Sequence, residues 1–216
     1  MSKIFLVSTA LLTVAFVQPI AAQDVPKLTA GFGGGVTIPL NPTARYAEVS
    51  GNFVYGSGYN IDKQNAIIGE FMWAGLPPDR TAIHSINAPY VNINLFSLTA
   101  NYRFQFNPSR FGVYAIAGGG WYLRYTLLDK TYVAPPHTTC LPDYTYWGYA
   151  CDSSGFVVSQ TVAHRGGSAG GLNAGVGFTI RIRDSGWKFY MESRYHYAWH
   201  DVVHTTLLPV TIGFRF

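Results

Sequence analysis

Charged residues and cysteines are both scarce in this sequence. Of 216 residues, 12% are charged and two are cysteines. The basic residues form no run, so the modest net charge of +4 gives nucleic-acid binding little support. Beyond the first 22 residues, no stretch approaches the ~18 unbroken apolar residues of a transmembrane helix. If the mature chain enters a membrane, we expect it to do so without helices.

The abundant residues are aromatic residues and glycine. Aromatics make up 16% of the chain, and there are 23 glycines. This composition is too apolar for a disordered chain and differs from the Ala/Glu/Lys/Leu mixture of helical proteins. The length fits one sizeable domain.

The N-terminal residues 1–22 have the three parts of a secretory signal peptide. Lys3 supplies the positive charge, "IFLVSTALLTVAFV" is the apolar region, and "IAAQ" offers small residues for cleavage. A membrane anchor is the alternative, but the apolar region is shorter than the ~20 residues that span a bilayer. We predict cleavage after Ala22, with Gln23 as the second choice, and a mature domain of residues 23–216.

Eight segments of the mature chain alternate between apolar and polar residues. In "FSLTANYRFQF", for example, Phe96, Leu98 and Ala100 alternate with Ser97 and Thr99. Strict alternation over about ten residues predicts β-strands of the length that crosses a bilayer at a tilt. The eight segments are "LTAGFGGGVTI", "AEVSGNFVYGSGY", "IIGEFMW", "FSLTANYRFQF", "FGVYAIAGGGWYLRYTL", "GLNAGVGFTIRI", "WKFYMESRYHYAW" and "LPVTIGFRF".

Aromatic placement and loop lengths favour a membrane barrel over a soluble β-sandwich. Trp73, Tyr125, Trp187 and Trp199 lie near segment ends on the apolar face, as in the aromatic girdles of membrane barrels. The short turns "DKQN", "NPSR" and "RDSG" alternate with longer links, the longest being 128–167. We therefore predict an all-β, eight-stranded, antiparallel up-and-down transmembrane β-barrel, with both ends on the periplasmic side.

The signal peptide, the eight alternating segments and the aromatic end resemble the small outer-membrane β-barrel proteins of Gram-negative bacteria, the OmpA/OmpX/OmpW-like group. The resemblance implies the cell outer membrane as the location, with lipids and lipopolysaccharide around the barrel. It also implies recognition of the last strand by the barrel-assembly machinery. The residues matching that signal are Val210, Ile212, Phe214 and Phe216. OmpA itself continues beyond its barrel into a peptidoglycan-binding domain. In this sequence the eighth predicted strand is the last segment, so we expect no wall-binding role.

Charged side chains share the polar face of the predicted strands and would point into the lumen. An eight-stranded barrel is just wide enough for side chains to fill, so these charges must pair. We predict a Glu70–Arg103 contact, extended by Glu192 and Arg194. Such a network is either a gate or a salt-bridge plug, and we favour the plug. The predicted network comprises Glu70, Arg103, Arg124, Arg181, Glu192 and Arg194, while Glu48 and Arg215 share the same polar parity.

Cys140 and Cys151 lie eleven residues apart in one polar stretch of the long link. Because an exported chain can oxidise, we predict a disulfide that stabilises this loop, with two free thiols as the alternative. The exposed aromatic residues of this loop favour one of two interpretations. They either contact an external ligand or form a rigid cap over the barrel. "FVVSQTV" alternatively extends a strand hairpin beyond the membrane.

Motifs for cofactors and catalysis are weak. The Gly-rich runs lack phosphate-loop spacing, and we expect them to make room for large lumen residues. His200 and His204 are predicted to be surface loop residues, so we expect no metal and no cofactor.

Lipid A deacylases, palmitoyl transferases and omptin proteases share this scaffold, but the required His-x-Ser or acid pairs are not found. We expect a monomeric structural or surface-interaction barrel and no enzyme. The main alternative is a narrow channel for small or apolar solutes, and the less favoured one is a lipid-modifying enzyme.

Overall fold

The computed structural model describes residues 26–79, 90–107, 110–133, 139–143, 148–152, 157–182 and 186–216. The predicted signal peptide, 1–22, lies outside the described residues. Within them, no helix is long and apolar enough to span a membrane. One short 3-10 helix, Thr43–Arg45, follows the first strand.

Eight antiparallel strands close into a barrel, as the sequence predicted. The order around the barrel is β1-β10-β9-β8-β5-β4-β3-β2, and β6 pairs with β7 in a separate hairpin between β5 and β8. The strands are β1 (Leu28–Pro39), β2 (Ser50–Asn60), β3 (Asn65–Gly75), β4 (Tyr90–Gln105), β5 (Phe111–Val133), β6 (Thr139–Asp143), β7 (Gly148–Asp152), β8 (Val157–Arg181), β9 (Lys188–Ala198) and β10 (Thr205–Arg215). Closure leaves no unpaired edge, which a barrel needs in a membrane.

The two faces of each strand follow the predicted parity. On β4, Leu98 is 66% exposed on the outer face, whereas the neighbouring Ser97 and Thr99 are each 3% exposed in the lumen. Exposed aromatic and aliphatic side chains continue around the outer wall, on Phe32, Phe53 and many other positions. An apolar surface of this extent is stable in lipid rather than in water.

Polar contacts bracket the apolar band on the outer wall. At one edge, Trp73 Nε1 donates to Asn94 Oδ1 at 3.0 Å, and at the other Tyr102 is hydrogen bonded to Asn65. Between these contacts, β4 rises ~27 Å from Phe96 to Phe104 at ~3.4 Å per residue. A strand tilt of ~40° reduces this rise to ~21 Å, near the ~25 Å apolar band of bacterial barrels.

The turn between β2 and β3 is closed by one aspartate. Asp62 Oδ1 accepts hydrogen bonds from the backbone N–H of Gln64 (2.7 Å) and of Asn65 (2.8 Å). Asp62 Oδ2 accepts one from Asn65 Nδ2 at 2.7 Å. These bonds, with the Asn65 side chain contributing most, hold the pKa of Asp62 below its usual value. The short turn is therefore fixed by its own side chains.

The start of the second strand differs from the prediction. Ala47 and Glu48 were expected to extend that strand, but β2 begins at Ser50. Ala47 instead bridges to Pro78 and is 7% exposed, and Glu48 is exposed to solvent. The segment folds over the barrel mouth because its backbone finds partners in the next loop, where Glu48 N donates to Pro77 O at 2.8 Å.

The described residues of the long link 128–167 are all in strands, whereas a loop was predicted. β5 continues to Val133 and pairs with β8 from Val157 onward, with a register shift at Leu128/Asp129. The alternative, in which "FVVSQTV" extends a strand hairpin, is confirmed from Val157, while the position of this extension beyond the membrane stays a prediction. Pairing satisfies the backbone groups in water as well as in lipid, so the two strands need not end at the bilayer.

Candidate functional site

A buried ionic network crosses the middle of the lumen. Glu70 projects from β3 and Arg194 from β9, and these strands lie four positions apart in the ring of eight, on opposite walls. Arg194 Nη1 donates to Glu70 Oε1 at 2.7 Å, and Nη2 donates to Oε2 at 2.5 Å. This bidentate pair is the strongest geometry available to a carboxylate and an arginine. One ion pair therefore ties together opposite sides of the barrel.

Glu192 brings Tyr114 and Arg215 into the network. Its carboxylate accepts from Arg194 Nε, and its Oε2 accepts from the Tyr114 hydroxyl at 2.8 Å. The Arg215 Nη2 atom lies 4.0 Å from the same Oε2. The Arg215 guanidinium also lies 4.7 Å from the centre of the Tyr190 ring. Two carboxylates thus face two guanidinium groups, which is the balance that burial of charge requires.

The predicted partner of Glu70 was wrong. Arg103 lies on the neighbouring strand, but the register places Thr99 beside Glu70 and Ala66 beside Arg103. The two charged groups are therefore about four residues apart along the strands, whereas Arg194 reaches Glu70 from across the lumen. Arg103 Nη2 donates instead to Asn60 Oδ1 at 3.1 Å. The predicted participation of Glu192 and Arg194 in the network matches the contacts.

Two other members of the predicted network lie away from it. Arg124 is near the outer end of the barrel, where Nη1 donates to Val203 O at 3.3 Å and to Thr205 Oγ1 at 3.2 Å. Arg181 is exposed at the short-turn end of β8. Arg215, which had been placed on the polar face but left out of the network, belongs to it. The alternation of polar and apolar residues predicts which face of the barrel wall a side chain occupies. It does not predict the position of that side chain along the barrel axis.

Glycines on the lumen wall make room for the large side chains, as the sequence predicted. A methyl group added at Gly177 would lie 2.5 Å from Cζ of Tyr114, and one at Gly171 would lie 2.6 Å from Cε2 of Tyr122. At Gly175 it would meet Cγ of Arg194 at 2.6 Å. Contacts under 3.0 Å force a shift, so each glycine is needed where a large neighbour crosses it.

The outer half of the lumen is filled by an apolar plug. Its buried residues are Ala47, Val54, Met72, Leu76, Leu95, Tyr122, Ala198 and Leu207. Loop contacts cover the plug: Thr43 Oγ1 donates to His204 O at 3.2 Å and accepts from Thr206 N at 2.8 Å. The lumen is thus sealed by packing at its outer end and by charge at its centre.

The histidines differ in part from expectation. His200, predicted as a surface residue, is 3% exposed, and its Nδ1 is hydrogen bonded to Thr205 Oγ1 at 3.1 Å. Burial, together with the Arg124 charge, lowers the pKa of His200. His204 is exposed as predicted. Within the described chain, no cluster of His, Cys, Asp and Glu has the spacing of a metal site.

The last strand and the cysteine hairpin were also singled out by sequence. Ile212, Phe214 and Phe216 are exposed on the outer wall, and Val210 is half-buried on the same face. Their role as an assembly signal stays a prediction.

In the β6–β7 hairpin, Cys140 and Cys151 are direct cross-strand partners. Opposed residues of antiparallel strands have Cα atoms ~4.5–5.5 Å apart, a spacing that suits a disulfide. That disulfide also stays a prediction.

A closed antiparallel barrel, an apolar outer wall and a lumen that holds buried charges and an apolar plug together define a transmembrane β-barrel. No protein-family model matches the sequence, and no curated protein matches it.

Solved structures resemble the chain in fold. Neisserial surface protein A (NspA) aligns over 88% of this chain and 96% of its own, with a TM-score of 0.51 and 12% identity. Ail of Yersinia pestis aligns over 88% and 96%, with a TM-score of 0.44 and 14% identity. The N-terminal barrel domain of Pseudomonas aeruginosa OprF aligns over 88% and 98%, with a TM-score of 0.42 and 12% identity. The NspA likeness supports the barrel fold, and no conclusion rests on the other two.

Proposed function

We propose that this protein is a monomeric barrel of the bacterial outer membrane with a structural or surface-interaction role. The observation that carries the proposal is the bidentate Arg194–Glu70 ion pair, which joins opposite walls of a lumen whose outer half is filled by the apolar plug. Breaking a buried pair by removing one partner costs ~3–5 kcal/mol, so the closed lumen is the stable state.

The packing of the lumen weighs against the alternative of a narrow channel. Above the ion pair, Met72, Leu95 and Leu207 are each no more than 1% exposed within the apolar plug. Among the described residues, a small cavity of about 60 Å³ lies below the ion pair, and one of about 10 Å³ adjoins Glu70 itself. A solute would have to displace both the charge network and the plug. Closed packing of this kind favours a structural barrel over a channel.

The outer hairpin is the natural place for a surface interaction. β5 and β8 are 23 and 25 residues long, against 11 or 12 for five of the other barrel strands. Their paired ends, Val133 and Val157, carry the β6–β7 hairpin between them. The sequence of this region is rich in Tyr and includes Trp147, and such residues dominate binding surfaces. An external glycan or protein is the partner that this proposal implies.

The membrane location of the proposal rests on the outer wall and the fold. The exposed apolar band would contact outer-membrane lipids and lipopolysaccharide. The residues Ile212, Phe214 and Phe216 would present the recognition signal for the barrel-assembly machinery. A catalytic role has little support, because His196, a histidine of the lumen, is 2% exposed and hydrogen bonded to the Tyr122 hydroxyl at 2.9 Å.

The first test is single-channel conductance of the refolded mature protein in a planar bilayer. Folding is established beforehand by heat-modifiable gel migration. We expect a silent membrane, since the lumen is sealed at two levels. Discrete, reproducible conductance steps would favour the channel instead. The matched variant is Arg194→Ala, which removes the ion pair but keeps the apolar plug and should also be silent.

The second test concerns the hairpin. A variant in which residues 134–156 are replaced by a two-residue turn should still fold, because the barrel strands pair without them. Wild type and variant are reconstituted in liposomes and passed over immobilised glycans and cell-surface proteins. Binding by the wild type that the variant loses supports the surface role. Binding retained by the variant would place the interaction elsewhere.

A further inference from the structure

The periplasmic end of the lumen contains a polar cavity. It has a volume of about 60 Å³, enough for about four waters or for one carboxylate or phosphate group. The cavity lies between the β2–β3 turn and the ends of β4, β9 and β10. The side chains that matter to its charge are Asp62, Lys63, Arg103, Lys188 and Arg215.

The charges that face this cavity are unbalanced. Asp62 already accepts three hydrogen bonds within its turn. Arg215 is directed toward Glu192, at 4.0 Å, and toward the Tyr190 ring. In the described part of the chain, neither Arg103 nor Lys188 has a carboxylate within 4.0 Å. Positive charge therefore exceeds negative charge at this mouth.

Arg103 is the residue that most needs a partner. It is 6% exposed, and Nη2 donates to the neutral Asn60 side chain. Nη1 is buried, and among the described residues it has no hydrogen-bond acceptor. Leaving a donor of a buried charged group without an acceptor is costly, at ~1–3 kcal/mol or more. A guanidinium fork fits the oxygens of a carboxylate or a phosphate.

We propose that the periplasmic mouth of the barrel is an anion site, in which Arg103 and Lys188 bind a carboxylate or a phosphate monoester. Arg103 supplies a donor without an acceptor, Nη1, and Lys188 adds a half-buried positive charge from β9. The anion is either a free solute or the headgroup of a phospholipid in the inner leaflet. The proposal is independent of any role of the outer hairpin.

The test is calorimetric titration of refolded mature protein with inorganic phosphate in a phosphate-free, uncharged detergent. We expect saturable binding to the wild type, weakened about tenfold or more by Arg103→Gln, because a charged hydrogen bond is lost. The matched control is Arg181→Gln, which removes an exposed arginine at the same end that does not line the cavity. Absence of binding to the wild type, or equal binding by Arg103→Gln, would overturn the proposal.

Two additions complete the design. If Arg103→Gln does not fold, Lys188→Gln decides: weaker binding supports the site, and unchanged binding overturns it. Repeating the wild-type titration in nanodiscs of phosphatidylcholine, with and without phosphatidic acid, separates the two sources. Competition by phosphatidic acid identifies a lipid headgroup as the occupant, and unchanged phosphate affinity identifies a free solute.

Discussion

The outer and inner halves of the lumen are closed by different means. The outer half is an apolar plug around Leu95 and Tyr122, both 0% exposed, with loops folded over it. The centre is a network of four charged groups, and below it lies a polar cavity. Apolar packing closes the end of the lumen that carries the long strands β5 and β8, whereas charged and polar groups occupy the end with the short turns.

The difference shows what each half depends on. An apolar plug is tolerant, because hydrophobic side chains of similar volume can replace one another at modest cost. An ion pair between Glu70 and Arg194 tolerates no single change, because removal of either partner leaves a buried charge. We therefore expect the two halves to respond differently to substitution, and four experiments test this.

The largest effect is expected at the centre. Glu70→Ala leaves Arg194 with Glu192 alone and should lower the free energy of unfolding by about 3–5 kcal/mol. The measurement is urea unfolding in micelles, followed by tryptophan fluorescence. The matched control is Glu48→Ala, which removes an exposed glutamate and should cost less than about 1 kcal/mol. Equal losses in the two variants would show that the network contributes little.

The sequence predicted these two halves unequally. Alternation alone identified the lumen face of every barrel strand, including Glu70, Glu192 and Arg194, because the side-chain period of a strand is two. It could not choose Arg194 over Arg103 as the partner of Glu70. That choice depends on how far the strands are staggered around the closed ring, and neighbouring strands reveal nothing of a contact across the lumen.

The loops were the least predictable part. Ala47 continues the alternation of the second segment but leaves the sheet, because the next loop offers its backbone a partner at Pro78. His200 reads as a surface loop residue, yet the turn between β9 and β10 folds it inward against Thr205. The strands β5 and β8 continue to Val133 and from Val157, within a link that was predicted as a loop. Each of these outcomes depends on tertiary contacts that local pattern does not contain.

The apolar plug should be the next most sensitive region. Leu95→Ala creates a cavity among residues that are fully buried and should lower the free energy of unfolding by about 2–5 kcal/mol. Leu98→Ala is the control, because Leu98 lies on the same strand but faces lipid. The volume-conserving replacement Leu95→Met should retain most of the stability that Leu95→Ala loses, in contrast to any replacement of Glu70. A Leu95→Met variant as unstable as Leu95→Ala would contradict the tolerance proposed for this half.

Substitutions of glycines on β8 test the stability of both halves of the lumen from a single strand. Gly171→Ala presses on Tyr122 of the plug, and Gly177→Ala presses on Tyr114 beside Glu192. Each should cost about 1–3 kcal/mol by overpacking. A methyl group at Gly170 would meet nothing within 4 Å, so Gly170→Ala should leave the free energy of unfolding nearly unchanged. If all three variants unfold alike, the lumen glycines serve only backbone curvature.

The smallest effect is expected at the outer rim, where His200 adjoins the plug. Burial and the Arg124 charge lower its pKa in the folded state, so the folded protein binds a proton there less readily than the unfolded chain. Its contribution to stability is therefore complete above the unfolded pKa of ~6.5 and is lost as the pH falls toward the folded pKa. We expect the free energy of unfolding to decrease between pH 7.5 and 5.5, and His200→Asn to flatten that decrease. The measurement is urea unfolding at both pH values, and an unchanged slope in the variant would show that the outer rim, like the plug beneath it, is indifferent to charge.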